Sequence, residues 1–271
     1  MESEGYICNW CFKQYNEEDY TGVCSCCGKK DFSAFKAYED NKPKIILKIG
    51  KKDVLDSIRS GIIWFQSPRV YQENEDNEAI GDRFECAYSS VQDIDKSQYD
   101  NIKKELQKAK VYCDGKRLQL SEIKEAKFFE TNVDQPKLRI LCFYQLFLDD
   151  NHNILELDNR LRNFGDHFMF VDYTKLVCKL KELEKYGVLF SQGGAAYYTE
   201  QHTGKITPFF KQEDKFSYQH EQRIVLKSND FLNYGIKQPF KLKIQDDITD
   251  FFSEPIPIDK LFSAKKLENI I

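Results

Sequence analysis

Two pairs of cysteines near the amino end restrict this chain more than any other feature. Cys8-Asn9-Trp10-Cys11 is one C-x2-C pair. Cys24-Ser25-Cys26-Cys27 holds a second, twelve residues on, with Gly28 directly after it. A tetrahedral ion such as Zn²⁺ takes four thiolates at about 2.3 Å, and a two-residue gap lets both sulfurs of one tight turn face the same ion. Glycine after the second pair admits the positive φ that such a turn often needs. The chain has 9 cysteines in 271 residues, and five of them fall within the first 27. The opening MESEGYICNW lacks the basic and apolar regions of a secretory leader, which predicts a cytoplasmic chain. There, an odd and clustered set of cysteines argues for metal and against a disulfide framework.

The spacing resembles a zinc ribbon over residues 1–36, with Cys8, Cys11, Cys24 and Cys27 holding a structural zinc. Cys26 reads as a bystander thiol, because C-x2-C suits a shared ion better than C-x-C. So short a segment cannot bury a core of its own, and the metal would supply most of its folding free energy. Four lysines against six acidic residues leave residues 1–36 at a net charge of −2. Phosphate binding draws most of its affinity from cations, so docking to a protein partner is expected ahead of a nucleic acid. Trp10, Phe12, Tyr15 and Tyr20 are the candidate contact residues, unless they simply form the ribbon's small core.

The remainder, residues 44–271, reads as one α+β domain after a polar linker at 37–43. Hydrophobic residues are 41% of the chain and its net charge is −4, which excludes a largely disordered chain and a generally basic coat. No apolar run reaches the ~18 residues of a membrane span. The apolar pattern predicts a strand over 44–49, a helix capped by Asp53 with Val54, Leu55 and Ile58 inward, and a strand over 62–65. Residues 72–82 read as an acidic loop, 95–110 as a lysine-rich helix, and 121–130 as a helix. The strongest strand signal is LRILCFYQLFL, over 138–148. A strand over 167–173 leads into a helix capped by Thr174 and closed by Gly187. Short strands follow over 195–198, 223–227, 239–244 and 260–262, with Gly193-Gly194 as a turn. Many short strands with helices in the middle imply a mixed, mainly antiparallel sheet.

Several phrases resemble the bacterial domain-of-unknown-function family 2971 across residues 44–265. They are Gly61 to Pro68 in GIIWFQSP, Arg139 to Phe143 in RILCF, and Phe164-Gly165-Asp166-His167. A later phrase joins Lys211 or Lys215 to Tyr218, Gln219, Glu221, Arg223 and Ile224, and a closing one runs from Ile258 to Lys265. Gln219 stands where that family has an acidic residue, and Ala264 where it has glycine.

The strand–helix opening and Gln219-His220-Glu221 also resemble ADP-ribosyltransferase-like domains, which use NAD. That resemblance implies an enzyme, of the kind used as a bacterial toxin or phage-defence effector. Glu221 and Gln219 would be catalytic. Arg139 or Lys48 would hold the pyrophosphate, Ser67 would fill the second-strand position, and Tyr198 or Tyr218 would stack on nicotinamide. Gln219, Glu221 and Arg223 alternate on an extended segment and so share a face. Exposed, a Glu221–Arg223 pair would be worth only about 0–1 kcal/mol. His167 and His220 read as structural. The alternative is a non-catalytic interaction protein whose ribbon binds a protein or nucleic-acid partner. A nuclease is disfavoured, since no carboxylate cluster with a paired lysine stands out.

Overall fold

In a computed structural model of the chain, the described residues are 2–38, 44–73, 87–91, 112–113, 116–117, 128–131, 135–155, 157–198, 207–235 and 237–270. The amino-terminal module is an antiparallel sheet of β1 (Glu2–Cys8), β2 (Gln14–Asn16) and β3 (Phe32–Tyr38), in the order β2-β1-β3. The module's sheet therefore continues past residue 36, to Tyr38. Tyr6 stacks on Tyr20 at 3.8 Å, and Phe32 meets Tyr15 and Tyr20 edge-on. Tyr15 and Tyr20 thus belong to the module's own core. Trp10 is 48% exposed, with the Lys29 ammonium 4.9 Å from its ring.

β4 (Lys44–Gly50), α1 (Lys52–Arg59) and β5 (Ile62–Phe65) form the expected strand–helix–strand. Leu55 and Ile58 bury one face of α1. The N-cap is Lys51, so Asp53 lies one step inside the helix. There its charge meets the positive end of the helix dipole. Gly61 follows at φ +89, where a Cβ would lie 2.8 Å from the Ile244 carbonyl oxygen.

β6 (Ala87–Val91) pairs with β9 (Phe128–Thr131), and β7 (Tyr112–Cys113) with β8 (Lys116–Arg117). The strand at Phe128–Thr131 corrects the end of the helix expected over 121–130. Adjacent phenylalanines favour a pleated surface. Residues 72 and 73 complete the helix Pro68–Glu73. The rest of the expected loop at 72–82, the helix expected over 95–110, and residues 121–127 lie outside the described residues.

The remaining strands are β10 (Leu138–Phe147), β11 (His167–Phe170), β12 (Leu189–Gly194), β13 (Ala196–Tyr198), β14 (Phe210–Gln212), β15 (Glu221–Lys227), β16 (Phe240–Lys243) and β17 (Ile256–Pro257). Six strands make the main sheet, in the order β12-β15-β10-β4-β11-β17, with every neighbouring pair antiparallel. The small β13–β14 pair is parallel. The architecture is α+β and mainly antiparallel. Among the described residues, no helix is long and apolar enough to cross a membrane.

β10 is buried on both faces, which is why it reads as an unbroken apolar run. Leu141 and Phe143 enter the main core with Leu55, Phe65 and Met169. On the opposite face, Leu138 and Ile140 join one cluster, and Tyr144 and Leu146 another. The helix Tyr173–Lys181 is capped by Asp172, whose carboxylate accepts the Lys175 amide N–H, and not by Thr174. Gly187, at φ +76, closes the 3-10 turn after it. Residues 260–262 are not a strand. They lie in the helix Ile258–Ser263, which buries Ile258 and Leu261 three residues apart.

Gly193-Gly194 is not a turn either. Both glycines end β12 and pair with Arg223 and Gln222 of β15. A Cβ on Gly193 would stand 2.6 Å from Gln14 Nε2, which donates to the Gly194 carbonyl at 3.1 Å. The glycines are thus a seat for the cysteine module. Ser191 donates its hydroxyl to the Cys11 carbonyl. Ile7 and Phe12 pack with Ile140, Phe209, Phe210 and Val225 in one buried cluster.

Gly165 makes a second close approach. A Cβ there would stand 2.1 Å from the Gly50 carbonyl carbon at the end of β4. Gly165→Ala is therefore expected to lower stability by at least about 1–3 kcal/mol, the usual cost of overpacking. Urea denaturation of the variant beside the parent measures it.

Candidate functional site

The sulfurs of Cys8, Cys11, Cys24 and Cys27 lie within 4.8 Å of one another. Cys8–Cys27 is 3.6 Å and Cys11–Cys24 is 3.3 Å. Four sulfurs about 2.3 Å from a common ion would stand about 3.8 Å apart, so the set is close enough to hold one metal ion and suits zinc. Two matching turns create it. The Phe12 amide donates to the Cys8 carbonyl at 2.9 Å, and the Gly28 amide to the Cys24 carbonyl at 2.8 Å. Phe12 and Gly28 each follow the second cysteine of a pair, and both are left-handed, at φ +63 and +71. Phe12 does this without glycine's freedom while its ring is anchored in the body's core. Burial works against ionising Cys24, but the Tyr15 hydroxyl and the amides of Cys27 and Cys26 outweigh it and hold the thiol down to about 6. Burial pushes the Cys8 and Cys11 thiols up. Cys26 is exposed and outside the set.

A small pocket opens where β4, β10 and β15 meet, lined by Lys48, Ile49, Cys142, Phe143, Tyr144, Leu161, Phe164, Gln219 and Glu221. Glu221 opens β15. Gln219 does not precede it on an extended segment but ends the 3-10 turn Ser217–Gln219. His220 then takes the left-handed conformation at φ +39 and folds the chain back. The result is that Gln219 and Glu221 meet on one cation. Lys211 Nζ donates to Gln219 Oε1 at 2.5 Å and to Glu221 Oε1 at 2.9 Å. Arg223 Nε donates to Glu221 Oε2 at 2.6 Å.

This ion cluster is buried, so the weak exposed pair weighed for Glu221 and Arg223 does not form. The side chains of Lys211, Glu221 and Arg223 are 3%, 8% and 1% exposed. Burial raises the pKa of Glu221, but Arg223 and Lys211 overcome it and hold the carboxyl down to about 2. Of the two lysines that the sequence offered for this phrase, Lys211 supplies the contact, and Lys215 is exposed. His220 packs edge-on against Tyr144 and Phe147, as a structural residue.

Lys48 reaches the pocket because the β4–β10 ladder ends at Leu47–Tyr144. One residue on, its Nζ crosses the widening gap and donates to the Cys142 carbonyl at 2.6 Å. Arg139, Ser67 and Tyr218 do not line the pocket. Arg139 is fully buried, with Nη1 on the Pro136 and Leu138 carbonyls and its guanidinium over Phe231. Ser67 accepts the Arg69 amide at 3.3 Å, at the start of the helix Pro68–Glu73. Tyr218 lies under the Arg160 guanidinium, and its hydroxyl accepts from Gln219 Nε2. The side chain of Tyr198 lies outside the described residues.

Sequence reading missed Tyr144, Phe143, Phe164 and Lys211's double contact. Tyr144 had one usable signal, its place two residues from Cys142 and hence on the same face of β10. The chain matches no family model, no curated protein and no solved structure.

Proposed function

We propose that this chain is an NAD-consuming enzyme of the ADP-ribosyltransferase type, and that its four-cysteine cluster holds a structural zinc. The observation that carries the first reading is that Gln219 and an ionised Glu221 face one pocket. As nicotinamide leaves, the ribose carbon gains oxocarbenium character, and a fixed carboxylate beside it lowers the barrier. A carboxyl held near 2 is ionised at any physiological pH. It therefore acts as an electrostatic partner and hydrogen-bond acceptor, not as a general acid. Each carboxylate oxygen has a second lone-pair direction, available to a ribose hydroxyl. Gln219, anchored by Lys211, would orient the acceptor. Phe143, Tyr144 and Phe164 supply the aromatic wall for the nicotinamide ring, the part that the resemblance gives to Tyr198 or Tyr218.

The chemistry of the donor set supports zinc. Four soft thiolates in two tight turns, with none left open to a substrate, are the pattern of a structural site. Ile7, Phe12 and Gln14 already hold the module against the body, so a partner would meet the surface this leaves exposed, the Trp10 ring included.

One observation favours a non-catalytic reading. Both Glu221 oxygens already carry a cation, and the cluster ties β14 to β15. Nicotinamide release from NAD, by the wild type and by Glu221→Gln, separates the two readings. Release by the wild type and a fall of about 10²–10³-fold in the variant is the result expected. Equal rates in the two folded proteins, or no release from either with candidate acceptors present, would overturn the enzyme.

A further inference from the structure

Three basic residues gather near one carboxylate at this pocket. Lys211 and Arg223 occupy the two oxygens of Glu221. Lys48 is the third basic residue, and among the described residues no carboxylate lies within ion-pair distance of it. Its one hydrogen bond goes to a neutral acceptor, the Cys142 carbonyl. Around it stand Ile49, Phe143, Leu161 and Phe164, with the Phe143 ring centroid 5.6 Å from Nζ.

We propose that Lys48 is a nucleophilic amine, and that the pocket captures a small aldehyde or ketone as an imine on Lys48 Nζ. A protonated Lys48 would add a charge with no counter-ion beside two cations that already share one anion. Such a site favours the free amine. The titratable and charged groups that face it come from three strands. From β10, Cys142 and Tyr144 are both held protonated by burial, Cys142 at about 11. From β15 and β14 come Glu221, Arg223 and Lys211, whose charges are mutually engaged. Burial pushes the Lys48 amine down, while Cys142 and Glu221 pull it up.

The step balances without an oxidant. The amine lone pair forms a bond to the carbonyl carbon, and the π pair moves to oxygen, which takes a proton from the amine nitrogen. The resulting carbinolamine loses the nitrogen proton and hydroxide together as one water, which leaves C=N. Water reverses the reaction. An uncharged amine adds little to the grip on a pyrophosphate, so this role goes beyond the NAD reading and takes Lys48 out of the pyrophosphate position that the resemblance gives it.

The test uses benzaldehyde as the probe, with cyanoborohydride added as the hydride donor that traps the imine as a secondary amine. The full chain is labelled without NAD, and peptide mass spectrometry gives the rate at each lysine. At pH 7, Lys48 is expected to label at least tenfold faster than the exposed Lys185 and Lys243. Labelling at Lys48 is expected to fall less between pH 9 and pH 7 than labelling at the exposed lysines, because burial pushes its amine down. A Lys48→Met chain whose remaining lysines label as before supports the assignment, because it shows an intact fold. Lys48 labelling no faster than Lys185 and Lys243, or with the same pH slope, overturns it. Since NAD is absent from the assay, failure here leaves the NAD reading untouched, and the reverse holds as well.

Discussion

A Cys11→Ser chain is expected to hold no zinc and to lose the fold of residues 2–38. Cys11 is 3% exposed, and its sulfur lies 3.3 Å from that of Cys24. Structural zinc contributes about 10–16 kcal/mol of apparent binding free energy in small modules, and this module has little else. Its core is a handful of rings, Tyr6, Tyr15, Tyr20 and Phe32. The damage should spread into the body, because Ile7 and Phe12 are buried among Ile140, Phe209 and Val225. Metal analysis should find one zinc per wild-type chain and none in the variant. Hydrogen exchange should show the amides of Cys24 and Gly28, protected by the carbonyls of Lys29 and Cys24, becoming fast. A freshly reduced wild-type sample without metal, or a metal-free chain with these amides still protected, would contradict the zinc assignment.

The second large effect lies in the buried ion cluster. Glu221→Ala is expected to cost about 3–5 kcal/mol, because it strands two buried cations without their anion. The same carboxylate sets an acid limb. Its pKa is depressed from 4.5 to about 2 in the folded chain, so the unfolded chain takes up the proton first as the pH falls. The stabilisation is complete above about 4.5 and is lost as the pH drops toward 2, a change of about 3 kcal/mol. Urea midpoints measured down this range should fall steeply for the wild type and less steeply for Glu221→Gln. Parallel curves for the two proteins would show that Glu221 is not held in this way.

The parts of the fold that could be read from the chain alone are those set by neighbours in sequence. The strands at 44–50, 62–65 and 138–147 are apolar runs bounded by turn residues, and they stand where the pattern put them. Helix caps lie two residues before the places read for them, at Lys51 and not Asp53, and at Asp172 and not Thr174. Several polar residues adjoin each helix start, and only the backbone decides which one caps. Residues 260–262 were misread because a short apolar stretch fits helix and strand equally. Gly193-Gly194 was misread because its reason lies elsewhere, in the Gln14 side chain of a distant module. Glu221 and Gln219 could be named from a phrase of the sequence. That they are buried, and that Lys211 joins them, could not.

By itself, then, the sequence determined the cysteine set, because two C-x2-C turns are local geometry and need only themselves and an ion. It also determined the α+β class, through the lengths and periods of its apolar runs. The tertiary structure alone decided the pocket. Lys48 and the Cys142 carbonyl are 94 residues apart in the chain, and Cys11 and Ser191 are 180. Such pairs meet only because β4 lies beside β10 and the amino-terminal module seats on β12, and that order rests on which faces bury one another. The same burial turns a Glu–Arg pair of little worth in water into a tightly held cluster, and leaves Lys48 with no anion within ion-pair distance among the described residues.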